Sequence, residues 1–359
     1  MEQELENNGL ESLGYDEWFR EAASGHLTGD FSLARVVEVN KGNFRVADGS
    51  HEMVAELSGR FMFATENRTD FPTVGDWVVI QALNDRSLAI IHKVLPRKTV
   101  IKRKEPGRKV GFQLIASNID YGLVLQSADA LNLNCVGRYM VMLNESGIQP
   151  MVIISKIDLL SETELTETKK QAAKTGAKIV WISNAADRGI EPLSRELEPR
   201  KTYCLLGPSG VGKTTLLNRL LGEDLLRVNE VREKDGKGRH TTVRRQLIRL
   251  ETGSIFIDTP GMRELGNFDI EAGIEQTFEE ISLYGKQCRF RDCTHVHEKG
   301  CAVIEAVERG KIDTERYRNF LKLKKESEFY EMSYREKRKK DKAFGKMVKN
   351  YKRMKQKHG

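Results

Sequence analysis

The chain has 359 residues, of which 31% are charged, and its formal net charge is +7. This length exceeds that of one ordinary hydrophobic core, so we expect two or three domains. No apolar run approaches the roughly 18–20 residues of a membrane span, and the acidic first residues do not resemble a signal peptide. Five cysteines do not suggest a disulfide framework in a chain of this size, so we expect a cytoplasmic protein without membrane contact.

The positive charge is concentrated at the C-terminus. Residues 335–359 contain twelve lysines and arginines against two acidic residues, a net +10 that leaves −3 on the rest of the chain. Such a tail either contacts nucleic acid or stays solvated, and composition alone favours neither.

The N-terminal part of the chain predicts a β-barrel. Residues 1–30 have few large apolar residues and predict a flexible lead-in. Five short strands are then predicted within residues 31–96: Ala34–Val39, Phe44–Ala47, Glu52–Leu57, Trp77–Gln81 and Leu88–Val94. Short strands separated by Gly, Asn and Asp indicate an OB-like barrel, which either binds nucleic acid or serves as a docking module. Residues 97–109 hold seven basic residues and predict a linker, either a solvated hinge or the edge of an RNA groove.

Residues 110–275 alternate strands and helices, which predicts a doubly wound α/β domain. Within it, a segment of the form G-x-x-x-x-G-K-[ST] lies between a predicted strand, Thr202–Leu206, and a predicted helix, Thr214–Leu221. Backbone N–H groups of such a loop bind phosphate oxygens, the lysine reaches the β- and γ-phosphates, and the threonine binds Mg²⁺. The predicted phosphate-binding residues are Gly207, Pro208, Ser209, Gly210, Val211, Gly212, Lys213, Thr214 and Thr215.

Two further motifs each follow a predicted apolar strand. Ser155-Lys156-Ile157-Asp158 resembles the guanine-recognition motif N-K-x-D, with Ser in place of the usual Asn, and its aspartate can accept hydrogen bonds from both guanine donors. Asp258-Thr259-Pro260-Gly261 fits D-x-x-G, in which Asp258 would hold Mg²⁺ and Gly261 would meet the γ-phosphate. Ser183 belongs to a loop that we expect beside the base. The three motifs together predict a GTPase.

The order of the motifs predicts a circular permutation, because the guanine motif precedes the phosphate loop. In the later part of the domain, Thr242 or Thr241 would complete the Mg²⁺ site. Met262 stands where Ras-type enzymes place the glutamine that orients the attacking water, so we expect slow intrinsic hydrolysis. His240 is the candidate to orient that water. Its alternatives are an rRNA contact or no role.

A cysteine and histidine cluster follows the GTPase domain. Cys288, Cys293, His295 and Cys301 have the spacing C-x₄-C-x-H-x₅-C, which fits a closed four-coordinate Zn²⁺ site. His297 is a rival ligand, and buried free thiols beside a surface histidine are the alternative. We expect a mainly helical zinc-binding module at residues 276–334.

This order of a barrel, a permuted GTPase domain, a zinc module and a basic tail resembles one bacterial family, the small-ribosomal-subunit-dependent GTPase A family (RsgA, also called YjeQ). The segments that carry the resemblance are Val74–Val78, Gly207–Thr215, Gly238–Thr242, Asp258–Gly261 and the zinc cluster. The resemblance implies a GTPase that binds the small ribosomal subunit and its rRNA late in assembly, is stimulated by the subunit and then leaves.

Other functions remain open at this stage. GTP could merely stabilise an RNA-binding assembly module, a possibility that Met262 favours, or the partner could be a protein while the basic tail is idle. If the protein is a subunit-dependent GTPase, as the resemblance implies, we expect a monomer that binds GTP or GDP with Mg²⁺ and contains one Zn²⁺ per chain.

Overall fold

The computed structural model describes residues 8–40, 42–65, 67–104, 112–208, 210–222, 245–258 and 271–331. The chain divides into two compact units, Met1–Gly266 and Asn267–Gly359. The first contains all of the described β-strands, and the second is helical where it is described.

The prediction of a flexible lead-in is wrong for residues 10–23. Asp16 caps helix α1 (Glu17–Ala23) by accepting a hydrogen bond from the Phe19 N–H. The rings of Tyr15 and Phe19 lie 5.2 and 5.7 Å from that of Trp77 in the barrel, and all three are buried. The few apolar residues of this segment are therefore enough to fix it, because their partner is supplied by a distant part of the chain.

The barrel is built from five strands, as predicted. They are β1 (Phe31–Val39), β2 (Phe44–Ala47), β3 (Glu52–Leu57), β4 (Trp77–Leu83) and β5 (Leu88–Val94), with helix α2 (Gly59–Ala64) after β3. Strands β1, β2 and β3 are antiparallel neighbours, β3 pairs in parallel with β5, and β4 pairs with both β5 and β1. Pairing of β4 with β1 closes the barrel around a core that includes Val36, Met53, Ile80 and Ile91. The OB-like fold is confirmed.

The predicted basic linker is wrong for residues 97–104. Strand β6 (Val100–Lys104) pairs with β7 (Phe112–Ser117) in a separate antiparallel sheet. The guanidinium of Arg97 forms an ion pair with Asp76, 2.7 Å away and fully buried, and also donates to two backbone carbonyls. Residues 97–104 are therefore not a solvated hinge, because Arg97 is paired with the barrel and β6 is paired with β7. A contact of these basic residues with RNA stays a prediction.

Among the described residues, the GTPase sheet contains six strands and supports four helices. The strands are β8 (Tyr121–Ser127), β9 (Gln149–Ser155), β10 (Ile179–Trp181), β11 (Thr202–Leu206), β12 (Arg245–Arg249) and β13 (Ile255–Asp258). The helices are α3 (Leu133–Glu145), α4 (Glu162–Ala173), α5 (Ile190–Glu196) and α6 (Lys213–Leu221). The strand order is β10-β9-β8-β11-β13-β12, parallel except for β12. The strand of the guanine motif, β9, comes earlier in the chain than the phosphate-loop strand β11, so the predicted circular permutation is confirmed.

The barrel and the GTPase sheet are joined edge to edge. Strand β1 pairs with β12 through Glu38↔Gln246 and Val39↔Arg245, which makes one eleven-stranded sheet. Sequence patterns did not indicate this pairing, because each strand already has the alternation expected of its own sheet.

The described part of the second unit, residues 271–331, contains four helices, α7 (Glu271–Thr277), α8 (Glu279–Gly285), α9 (Ala302–Glu308) and α10 (Thr314–Glu331). Phe278, Ile281, Val303 and Phe320 are buried between them. The unit begins earlier than the predicted boundary at residue 276, because α7 packs against α10. No helix among the described residues is both long and apolar enough to cross a bilayer.

Candidate nucleotide and metal sites

The phosphate loop lies tightly against the end of β8, and its glycines are required there. Gly207 has a φ of +140°, and a Cβ at this position would lie 2.3 Å from the carbonyl oxygen of Leu125. Gly212 has a φ of +94° and leads directly into α6. Backbone N–H groups at the start of that helix are free of intrahelical partners and can bind an anion. Thr214 and Thr215 lie half-buried in its first turn.

Lys213 and Asp258 lie close enough to interact electrostatically. The Lys213 ammonium donates to the carbonyl oxygens of Gly207 and Pro208, at 2.9 and 2.5 Å. Burial raises the pKa of Asp258 at the end of β13, and the charge of Lys213 opposes this shift. A charged phosphate is a stronger acceptor than a carbonyl, so the lysine is placed to exchange its present partners for a phosphate.

The two segments predicted to recognise the base do meet. The Ser183 hydroxyl donates to a carboxylate oxygen of Asp158 and accepts a hydrogen bond from the Ala186 N–H at 2.9 Å. The Asp158 side chain is exposed, and Lys156 before it has a left-handed φ of +57°. The loop that contains Ser183, called the base loop below, is therefore fixed to the aspartate that would recognise guanine.

Ser155 lies deeper than the other residues of its motif. It is fully buried, and its hydroxyl lies 2.7 Å from the carbonyl oxygen of Val211 in the phosphate loop and 3.0 Å from that of Gln126. The buried serine side chain therefore stabilises the phosphate loop through a backbone carbonyl of that loop. A direct contact of Ser155 with GTP stays a prediction.

Two residues of the site were missed from the sequence. Tyr139 on α3 accepts a hydrogen bond from the Gly207 N–H, and burial raises the pKa of its phenol to about 12. Asn184, next to Ser183, places its side-chain nitrogen 3.5 Å from the Gly212 carbonyl oxygen. No local motif marks either residue, since each contacts the phosphate loop from a separate part of the chain.

Several predicted site residues lie outside the described part of the chain. They are Ser209, His240, Thr241, Thr242, Gly261 and Met262. Their roles stay predictions.

The four predicted metal ligands come together in the second unit. One ligand atom from each of Cys288, Cys293, His295 and Cys301 lies within 4.8 Å of all the others. The Cys288 and Cys301 sulfurs are 3.8 Å apart, and each lies 3.5 Å from His295 Nδ1. Tetrahedral Zn²⁺ with bonds of about 2.3 Å to sulfur and about 2.0 Å to nitrogen would separate such atoms by about 3.8 and 3.5 Å. The donor set and its spacing therefore fit a four-coordinate zinc ion.

Hydrogen bonds made by Glu298 and Tyr317 hold the loop around this cluster. Glu298 accepts from the Thr294 hydroxyl and from the backbone N–H groups of Thr294, Val296 and His297, and these bonds hold its pKa well below the usual range. The Tyr317 hydroxyl on α10 donates to the His295 carbonyl oxygen. His297, the rival ligand, is exposed and is not a member of the cluster.

Comparison with known proteins agrees with this architecture. The RsgA GTPase family model matches residues 94–268. The chain is 38% identical over 322 residues to a protein of Listeria monocytogenes named small ribosomal subunit biogenesis GTPase RsgA 2, and the alignment covers 89% of this chain and 90% of that protein.

Two solved structures are also similar. The crystal structure of YjeQ from Thermotoga maritima has 27% identity and a TM-score of 0.64, covering 83% of this chain and 98% of that one. YloQ, described as a circularly permuted GTPase, has 24% identity and the same TM-score, covering 87% of this chain and 100% of that one, and at this identity it supports the fold alone. With these sequence and structural matches, the chain belongs to the RsgA GTPase family.

Proposed function

We propose that this protein is a GTPase that acts in the biogenesis of the small ribosomal subunit. The observation that carries the proposal is the meeting of three motifs at the carboxyl ends of parallel strands in one sheet. Asp158, the phosphate loop and Asp258 lie at the carboxyl ends of β9, β11 and β13, at one edge of the permuted sheet, and Ser183 after β10 contacts Asp158. Ligands of open α/β sheets bind at this edge.

Guanine would be selected by Asp158. Its exposed carboxylate can accept hydrogen bonds from guanine N1–H and the 2-amino group, and adenine lacks this pair of donors. Ser183, which donates to the same carboxylate, would keep it oriented for the base. Lys156 would cover one side of the base with its aliphatic stem.

The phosphates would be bound by the loop amides and by Lys213, while Thr214, Thr242 and Asp258 would hold Mg²⁺. The ion, when bound, neutralises charge on the β- and γ-phosphate oxygens. Burial disfavours the ionised form of Asp258, and a bound cation would compensate this cost. We infer that the aspartate is arranged for a site occupied by a cation.

Hydrolysis would depend on the partner because the chain lacks the usual glutamine. Met262 cannot orient water, whereas a neutral His240 imidazole could accept a hydrogen bond from the attacking water. The small subunit would then hold the His240 segment in its productive position, which supplies positioning and not new chemistry. Met262 equally favours a second candidate function, an RNA-binding assembly module in which hydrolysis is incidental.

The metal of the second unit is proposed to be one structural Zn²⁺ per chain. Three thiolates and one imidazole complete its tetrahedral coordination, and a closed site of this kind has no position for substrate. Its role would be to fold the loop between α8 and α9.

The proposed partner is the small ribosomal subunit and its rRNA, bound by a cytoplasmic monomer. The net +10 of residues 335–359 suits phosphate contacts, which release counterions. Co-sedimentation with purified small subunits, with large subunits as the control, tests the partner. Turnover of GTP compared with ATP tests the activity. Binding to neither subunit, or equal turnover of both nucleotides, would contradict the proposal.

A further inference from the structure

Asn184 lies between the base loop and the phosphate loop. Its neighbour Ser183 donates a hydrogen bond to Asp158, so the backbone beside Asn184 is tied to the residue that would recognise the base. On its other side, the Asn184 carbonyl oxygen accepts a hydrogen bond from Arg219 on α6, the helix that begins at the phosphate loop, at 3.1 Å. One residue thus contacts both halves of the nucleotide site.

The Asn184 side chain is packed against the last glycine of the phosphate loop. Its nitrogen lies 3.5 Å from the Gly212 carbonyl oxygen, and a Cβ added to Gly212 would lie 3.0 Å from that nitrogen. The glycine has a φ of +94°, a conformation that residues with a side chain rarely adopt. Movement of the base loop would therefore be transmitted to Gly212 through this amide.

The Asn184 amide also has an unused acceptor. Its side-chain oxygen is buried and has no hydrogen-bond partner among the described residues. Exchanging the amide oxygen and nitrogen would place two oxygens against each other at Gly212, so the orientation shown is the favourable one. A buried acceptor without a donor is costly and calls for an explanation. A hydrogen-bond donor that reaches the Asn184 oxygen when nucleotide is bound would explain it.

The need for this amide follows from Ser155. The guanine motif usually has an asparagine here, whose side chain offers two donor hydrogens, whereas a hydroxyl offers one. The Ser155 hydroxyl has two carbonyl oxygens within reach, those of Val211 and Gln126, and can donate to only one at a time. Asn184 brings a side-chain amide to the next residue of the same loop, Gly212.

We propose that Asn184 is a positioning residue that couples guanine recognition to phosphate binding by the phosphate loop. The inference rests on the proposed GTP site. When Asp158 and Ser183 hold the base, Asn184 holds Gly212, and the loop amides keep the geometry that binds phosphate. Without Asn184 the base loop and the phosphate loop would respond to the nucleotide separately.

The test is the release rate and affinity of fluorescent (mant) GDP in the full-length protein. The variants are Asn184→Ala and Asn184→Asp, which keeps the side-chain shape but loses the donor to Gly212. Asn67→Ala is the matched control, because this side chain lies on an exposed loop of the barrel, far in sequence from the nucleotide motifs, and donates a hydrogen bond to Asp70. Both Asn184 variants should bind GDP about fivefold more weakly, as expected for one lost hydrogen bond, through faster release. The melting temperature of the nucleotide-free protein should not change.

A double-mutant cycle with Asp158→Asn tests the coupling. Asn184→Ala should lose most of its effect on GDP release in the Asp158→Asn background, because the base no longer fixes the loop. Additive effects, unchanged GDP release in both Asn184 variants, or a matching drop in the melting temperature of the free protein would each overturn the proposal. A parent protein that does not bind GDP would overturn the proposed function together with it. Normal parent binding with unaffected variants would overturn this inference alone.

Discussion

The guanidinium of Arg35 on β1 donates a hydrogen bond to the Thr202 hydroxyl, 3.0 Å away, at the first residue of the phosphate-loop strand. The same fully buried group donates to the carbonyl oxygens of Leu13, Gly75 and Asn118. Burial lowers its pKa to about 10. The N-terminal segment, the barrel and the GTPase sheet therefore meet at one cation that is satisfied by neutral acceptors.

Replacing this cation should destabilise the first unit. Arg35→Met removes one donor from each of four acceptors, so we expect the free energy of unfolding to fall by at least about 2 kcal/mol. Urea denaturation followed by tryptophan fluorescence measures this, since Trp77 is buried beside Arg35. Arg249→Met is the matched control, because Arg249 is exposed and, among the described residues, its side chain donates to the Ser12 hydroxyl alone. Equal losses in the two variants would show that Arg35 is not a structural centre.

Asp158→Asn should change nucleotide preference. Loss of the charged acceptor should weaken GTP binding by at least about 2 kcal/mol, and the new amide can donate to the 2-oxo group of xanthine. Competition of GTP and XTP against a fluorescent nucleotide measures both effects. Asp187→Asn serves as the control, because Asp187 is exposed in the same loop region and, within the described part of the chain, its one ion pair is with Arg219. If Asp158→Asn binds GTP and XTP as the parent does, the assignment of the base site is wrong.

The metal prediction concerns the second unit. Elemental analysis of protein purified without chelator should give one zinc per chain. Cys293→Ser should lose the metal and lower the stability of this unit, because metal binding is coupled to folding of the loop, while GDP affinity stays unchanged. Cys135→Ser, outside the cluster, should retain zinc. Well-folded parent protein without metal would contradict the prediction.

His240→Ala tests the proposed water-orienting group. GTP affinity, subunit binding and the slow basal rate should persist, because the imidazole would act only when the partner holds its segment in place. Most of the subunit-stimulated rate should be lost, which single-turnover hydrolysis measures directly. A variant that is stimulated like the parent would remove His240 from the mechanism and indicate a group donated by the ribosome.

Local chemistry explains what could be predicted. Strands β2, β3, β5 and β11 have the predicted bounds, since turn residues and alternating side chains define them within a few positions. The four metal ligands were likewise recognisable, because such a site needs fixed residue types at short spacing. Ser183 was expected beside the base, but its contact with Asp158, 25 residues away in sequence, was not predicted.

Long-range contacts explain what could not be predicted. Phe19 falls within the predicted flexible lead-in, but its ring lies against Trp77. Arg97 falls within the predicted linker, but it forms an ion pair with the buried Asp76. Gly75 lies in a predicted turn between two barrel strands. A Cβ there would lie 2.2 Å from the Ser117 carbonyl oxygen, so the residue marks a close junction of barrel and GTPase domain. Each of these pairs is separated by many residues, and neither partner alone indicates the contact.

Steady-state GTP turnover with and without purified small subunits tests whether hydrolysis depends on the small ribosomal subunit. We expect slow turnover by the free protein and an increase of about tenfold or more with small subunits, because an added partner completes the positioning of the attacking water. Large subunits should give no increase, and ATP should not be hydrolysed. A rate that is the same with and without small subunits would show that hydrolysis does not depend on this partner.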